Sequence, residues 1–290
     1  MKRVIKKTTD SAVVGMVSAI LIVGLLVAVI SIIQLIYVPV LMEQREAEHM
    51  DKVTEQFGSL TSVIDGQAAN ERKGVPIATF VTLGNKELPI LVSSKAFGTL
   101  EILNNSCKVT IDHKPINSTA QTSIFPIGTI AFSSTNAYFL NQNYTYEAGA
   151  MIVSQSQGNL MMCLPSFFVN FNSNTKTVNI SFDVVNISSV GKKTIAGGFG
   201  TYPIQTEFYD ISINNTYTNV DYITITTPHS NAWSVFINRS LQQADLKYNT
   251  HFTLTDTGQA LKIKFLPSIT VEVIFKIIDI QAQIGPGWAD

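Results

Sequence analysis

Residues 11–42 read SAVVGMVSAILIVGLLVAVISIIQLIYVPVLM, and no charged side chain interrupts them. Lys2, Arg3, Lys6 and Lys7 stand before this run, and Glu43, Glu46 and Glu48 follow it. A hydrocarbon layer of ~30 Å takes about 20 apolar helical residues, so the stretch spans a bilayer with length to spare. At about 1.5 Å per residue it reaches ~45 Å, which leaves apolar helix for contacts other than lipid. Basic residues before the span and acidic ones after it place the N-terminus in the cytoplasm and the bulk of the chain outside. A cleaved secretory signal has an apolar core of only ~7–15 residues and a small-residue cleavage site. Here the far end is Tyr37-Val38-Pro39-Val40-Leu41, so the run reads as a single-pass anchor. The expected organisation is a basic cytoplasmic tail at 1–10 and a transmembrane helix at 11–38, marked by Ser11, Gly15, Gly24, Gln34 and Val38.

The helical pattern outlasts the span. Met50, Val53, Phe57, Leu60 and Ile64 recur at alternating steps of three and four, with Glu46, Glu48, Asp51, Lys52, Glu55 and Gln56 between or before them. This predicts an amphipathic stalk helix over 39–72, with Pro39 as a point of kinking. Its stripe packs either on the chain's own outer domain or on a neighbouring subunit.

From Val75 the apolar period becomes two. Leu100–Leu103 and Cys107–Ile111 flank Asn104-Asn105-Ser106, which reads as a hairpin. Short strands are expected at 128–132, 138–140, 150–154 and 160–163. Val178, Ile180, Phe182 and Val184 face inward against Asn179, Ser181 and Asp183. Further strands fall at 204–213, 220–227, around Phe252 and Leu254, over Leu261–Phe265 and over Val271–Ile277. One helix near 231–245 carries Trp233, Ile237, Leu241 and Ala244 on one face, with Ser230 or Asn231 as its N-cap. The fold class is α+β, mainly β: a long N-terminal transmembrane and stalk helix, then an antiparallel β-sandwich-like ectodomain. A boundary near Pro165 divides that ectodomain into β-rich lobes at 75–165 and 166–290.

Composition narrows the function classes. With a net charge of −1 and only 14% charged residues, the chain has no electrostatic footprint for nucleic acid. N-x-S/T sequons at Asn104, Asn117, Asn143, Asn179, Asn186, Asn214 and Asn238 all follow the span, which favours a glycosylated exterior. The two cysteines, Cys107 and Cys163, permit one disulfide in an exported chain, or stand as two small buried hydrophobes. His49, His113, His229 and His251 lie far apart without metal-ligand spacing, no G-x-S-x-G elbow occurs, and no EF-hand loop is present. The Gly/Lys-rich loop at 191–200 lacks both phosphate-binding glycine patterns. Glu147, Asp183, Glu207, Asp210, Asp221, Asp256 and Glu272 are scattered, and nothing singles out a catalytic pair. The chain reads as a non-enzyme without cofactor or metal.

Two motifs carry a resemblance. Lys6-Lys7-Thr8-Thr9-Asp10 precede Ser11-Ala12-Val13-Val14-Gly15, and this opening resembles archaeal type IV pilin-like proteins with class III signal sequences. Tyr144-Thr145-Tyr146-Glu147-Ala148-Gly149-Ala150, then Ser154-Gln155-Ser156-Gln157-Gly158, are similar to a strand and turn in uncharacterised archaeal membrane-anchored proteins of this group. The resemblance implies a helix buried in a filament core, an outward β-rich head, and a prepilin-type peptidase cutting before the helix. In this chain Thr9 and Asp10 stand where Gly or Ala ordinarily precedes that cut.

Two functions are therefore expected to compete. One is a pilin-like surface protein, a structural or minor filament subunit that self-associates through its N-terminal helix. The other is a non-polymerising, membrane-anchored ectodomain binding a glycan, a cell-wall layer or a protein partner such as an S-layer protein. The lipid bilayer is a partner in both.

Overall fold

The computed structural model describes residues 7–85, 94–115 and 119–285, with side chains from residue 13 onward. The expected sequon at Asn117 and the basic residues Lys2, Arg3 and Lys6 lie outside the described residues. Helix α1 (Lys7–Ile32) passes through one π turn (Ile33–Tyr37) directly into α2 (Val38–Asn70). Pro39 explains the π turn. It has no N–H to donate, and its ring would strike the carbonyl four residues back. The chain widens just before it, and the Val38 N–H reaches back five residues to the Ile33 carbonyl. At the expected kink, anchor and stalk are joined by a local widening within a continuous helix of ~95 Å. Glu71 ends it in the left-handed region at φ 53°, its N–H bonded to the Gln67 carbonyl at 3.0 Å.

The two helices are used differently. Every residue from Val13 to Ile32 is exposed, and the helix is long and apolar enough to cross a membrane. In α2 the stripe Met50, Val53, Phe57, Leu60 and Ile64 is fully buried against the chain's own β domain, each side chain stabilising by about 1.5–3 kcal/mol.

The β domain has two sheets. The smaller takes β1 (Ile77–Thr82), β7 (Ser166–Asn172), β8 (Thr177–Ser189), β10 (Thr201–Thr218) and β14 (Thr270–Ile284), in the order β1-β10-β14-β8-β7. The larger takes β2 (Phe97–His113), β3 (Gln121–Thr135), β4 (Asn143–Glu147), β5 (Ala150–Gln155), β6 (Gly158–Cys163), β11 (Val220–Thr226), β12 (Phe252–Asp256) and β13 (Ala260–Phe265). Its order is β12-β13-β11-β2-β3-β4-β5-β6, with the short β9 (Ile195–Gly198) also paired to β2. Helix α3 (Ser230–Gln243) packs beside it. Among the described strands all pairings are antiparallel except β8 with β14, which run parallel from Thr270↔Thr177 to Ala282↔Ser189. The long N-terminal helix and the mostly β domain with antiparallel sheets are as expected, and this parallel pair is set within them.

Two apolar cores lie one beyond the other along the long strands. The stalk core gathers the α2 stripe, Leu100, Ile102, Ile130, Phe132, Tyr144, Tyr146, Ile187 and Ile280. The far core gathers Cys107, Val109, Ile111, Ile127, Val178, Ile180, Phe182, Trp233, Ile237, Leu241 and Val273. Strands β2, β3, β8 and β14 feed both. The proposed lobes at 75–165 and 166–290 are therefore not separate units: both sheets and both cores mix strands from each side of Pro165.

Between the cores the sheets pinch together. The Gly128 N–H donates to Asn186 Oδ1 at 2.8 Å, and Asn186 Nδ2 donates to Asp279 Oδ1 at 2.7 Å. Three local expectations change. Asn104-Asn105-Ser106 is a bulge within one continuous β2, not a hairpin, because β3 pairs on both sides of it, at Leu103↔Thr129 and Cys107↔Ile127. Asn105 takes φ 57°, and the bulge shifts the inward parity from Leu100 and Ile102 to Cys107, Val109 and Ile111. Residues 138–140 form no strand, since the buried Glu46 carboxylate accepts the N–H groups of Ala137, Tyr138 and Phe139 at 3.1, 2.8 and 2.7 Å. Finally, His229 rather than Ser230 or Asn231 occupies the N-cap position of α3, without a side-chain capping bond. The Ser230 hydroxyl donates to Asp256 at 2.6 Å, and Asn231 accepts from Asn159, so both side chains are engaged elsewhere.

Candidate functional site

The hairpin of β4 and β5 joins the structure's two helical elements. Its loop, Ala148-Gly149, has φ of 53° and 89°, the doubly left-handed geometry of a tight two-residue turn. On one side, the Tyr144 ring packs on Phe57 at 5.6 Å between centroids, and its hydroxyl lies 2.7 Å from Thr54 Oγ1. The Tyr146 hydroxyl donates to Asp65 Oδ1 at 3.2 Å. Burial pushes the Asp65 carboxyl up, and burial followed by the Asp65 charge pushes the Tyr146 hydroxyl well up. Both tyrosines thus fix α2.

Glu147 serves the other helix. Its carboxylate, 1% exposed, accepts from Trp233 Nε1 at 2.8 Å and Thr227 Oγ1 at 2.8 Å, with His229 Nδ1 at 3.2 Å. A buried carboxylate is tolerable only when so supplied with donors. Cys107 lies in the same core, and burial, then the Glu147 charge, push its thiol well above the ordinary range. Cys163 instead packs against the stalk core, 3.9 Å from Met151 Sδ. Both thiols are free, so the permitted disulfide is not formed: the cysteines serve different cores.

Beside the hairpin runs an open groove of about 500 Å³. Helix α2 lines it with Asp51 and Thr54, the hairpin with Gln142, Tyr144 and Gln155, the following turn and β6 with Gln157, Asn159, Leu160 and Met162, and α3 with Asn231. The Tyr144 hydroxyl donates to Gln142 Oε1 at 2.8 Å, and Asn159 Nδ2 donates to Asn231 Oδ1 at 2.6 Å. Sequence reading singled out the Tyr144–Ala150 strand and the Ser154–Gly158 turn. It missed Asp51 and Asn231, which carry no local signal and reach the groove only through the fold.

The sequons divide by environment. Asn104, Asn143, Asn179 and Asn214 are exposed. Asn186 is half-buried with both amide atoms bonded at the pinch, so glycosylation there would break its bond to Asp279. Asn238 is half-buried, and its Oδ1 accepts from Gln242 at 3.3 Å. Of the residues marking the span, Gly15 and Gly24 have open space around the position of a Cβ, and Gln34 sits within the π turn. Val38 is already buried, packing with Met42 and Tyr138 of the head.

Residues 11–260 match a family of unknown function, DUF7289, a stretch that takes in the apolar helix and the head as far as the first residue of β13. No curated protein and no solved structure matches the chain. The chain belongs to the DUF7289 family.

Proposed function

We propose that this DUF7289 member is a pilin-like cell-surface protein, anchored by α1 and assembled as a structural or minor subunit of a filament. The observation that carries this reading is the division of one continuous helix. The α2 stripe is consumed by the chain's own head, whereas α1 is bare on every side. An apolar helix bare all round requires either lipid or other helices as its surroundings. Gly15 and Gly24 allow close helix approach, and Gln34 is a polar group that gains a hydrogen bond when such helices meet. In this reading the tail stays cytoplasmic, the head lies outside, and the exposed sequons carry glycans.

The test is the mature N-terminus, read by mass spectrometry from purified membranes, together with sedimentation after shear. A cut between Thr9 and Ser11 with pelleting polymer is the expected result. An intact terminus and no polymer would sink the filament and leave a lone anchored ectodomain. Thr9 and Asp10 before Ser11 favour that second reading.

A further inference from the structure

The groove beside the β4–β5 hairpin presents a distinctive set of groups. No Lys, Arg or His occurs among its described lining residues, and Asp51 is the acid there. An anion would meet no counter-charge and would be repelled by Asp51. A purely apolar ligand would strip water from the carboxamides of Gln142, Gln155, Gln157, Asn159 and Asn231 and return nothing. The matching ligand is uncharged, dense in groups that both donate and accept, and has C–H faces as well. We propose that this groove binds a neutral glycan.

The amides are partly set in advance. Tyr144 occupies Gln142 Oε1, which leaves the Gln142 NH2 group as a donor. Asn159 gives its NH2 to Asn231 Oδ1, so the pair offers the Asn159 oxygen as acceptor beside the Asn231 NH2 as donor. Adjacent donor and acceptor suit the vicinal hydroxyls of a sugar ring, and the Asp51 carboxylate accepts from two more. Leu160 and Met162, 63% and 47% exposed, give the wall an apolar face for ring C–H groups. Because the Thr54–Tyr144–Gln142 contacts hold one wall, less side-chain freedom is lost on binding. The volume lies within the usual range of small-ligand sites.

The inference is independent of polymerisation, which sedimentation scores separately. The full chain, held in lipid nanodiscs free of sugar detergents, is titrated calorimetrically with neutral glucan, mannan and N-acetylhexosamine oligomers. Sulfated and uronic counterparts and a neutral Gly/Ser peptide accompany them. The expected result is binding of at least one neutral oligomer, weakened at least about tenfold in Gln155→Ala/Gln157→Ala with an unchanged melting temperature. Those two side chains bond to no described protein group, so their loss leaves the fold intact. Asn231→Ala is expected to weaken the same oligomer. Any of four results overturns the proposal: no neutral oligomer binding, equal binding of sulfated forms, preference for the peptide, or indifference to the double variant.

Discussion

Gly128 has no room for a side chain. An added Cβ would run into the Ile187 carbonyl oxygen, where the backbones of β3 and β8 draw together between the cores. Gly128→Ala is expected to cost about 2–3 kcal/mol, read as a lower denaturation midpoint, since two sheets must separate to admit one methyl. His49 is expected to contribute to acid sensitivity. It is nearly buried, with Nε2 2.9 Å from the Thr82 carbonyl and Nδ1 without a partner. Burial first, then Lys52, hold its pKa below the ordinary value, outweighing the Thr82 bond and Glu46. Its contribution is complete above the unfolded pKa of about 6.5 and is lost as pH falls through the folded value. Asp65 has the opposite sign: its raised pKa gives stability that is full below the unfolded value of about 3.9 and lost as pH rises through the folded one. Melting curves from about pH 7.5 to pH 5.5 should fall less steeply for His49→Gln than for the parent. Parallel curves would show that His49 carries no part of the acid response.

Among the elements, helices and the alternating strands were legible because one face of each meets one core. Met50, Val53, Phe57, Leu60 and Ile64, and likewise Val178, Ile180, Phe182 and Val184, appear as spaced, and all are buried. Residues 138–140 were misread because Glu46, more than ninety residues upstream, takes the N–H groups of Ala137, Tyr138 and Phe139, and a side chain acting at that separation leaves no local pattern. The bulge at Asn104–Ser106 was misread for a related reason: turn residues look the same whether a strand reverses or merely kinks. Because the α2 stripe joins the stalk core, Phe57→Ala should destabilise the head by about 3–5 kcal/mol. Chemical denaturation of the purified chain measures this. A change under about 1 kcal/mol would mean the stripe is not held by the head.

At the scale of the whole molecule, the parts contributed by α1 and by the head are separable. No side chain from Val13 to Ile32 is buried, so a chain beginning at Val38 should melt within a few degrees of the parent and stay monomeric without detergent, as gel filtration would report. The mean strand spacing made a β-rich head legible, yet the pairing order was not: period two says which face is inside and nothing about which neighbour lies alongside. The groove was hidden for a related reason, since α2, β6 and α3 lie far apart in the chain and meet only through the tertiary fold.

The parallel pair of β8 and β14 has a consequence in time. Strand β14 lies between β10 and β8 in the middle of the smaller sheet and supplies side chains to both cores. The far core takes β14 side chains as far as Ile277 and the stalk core as far as Ile284, so neither is complete before β14 is made, long after α1. The head therefore waits as an open, strand-rich chain tethered by a helix already made, and loop closure over such sequence separations is slow. Its apolar faces are most exposed in the interval before this last described strand slots in.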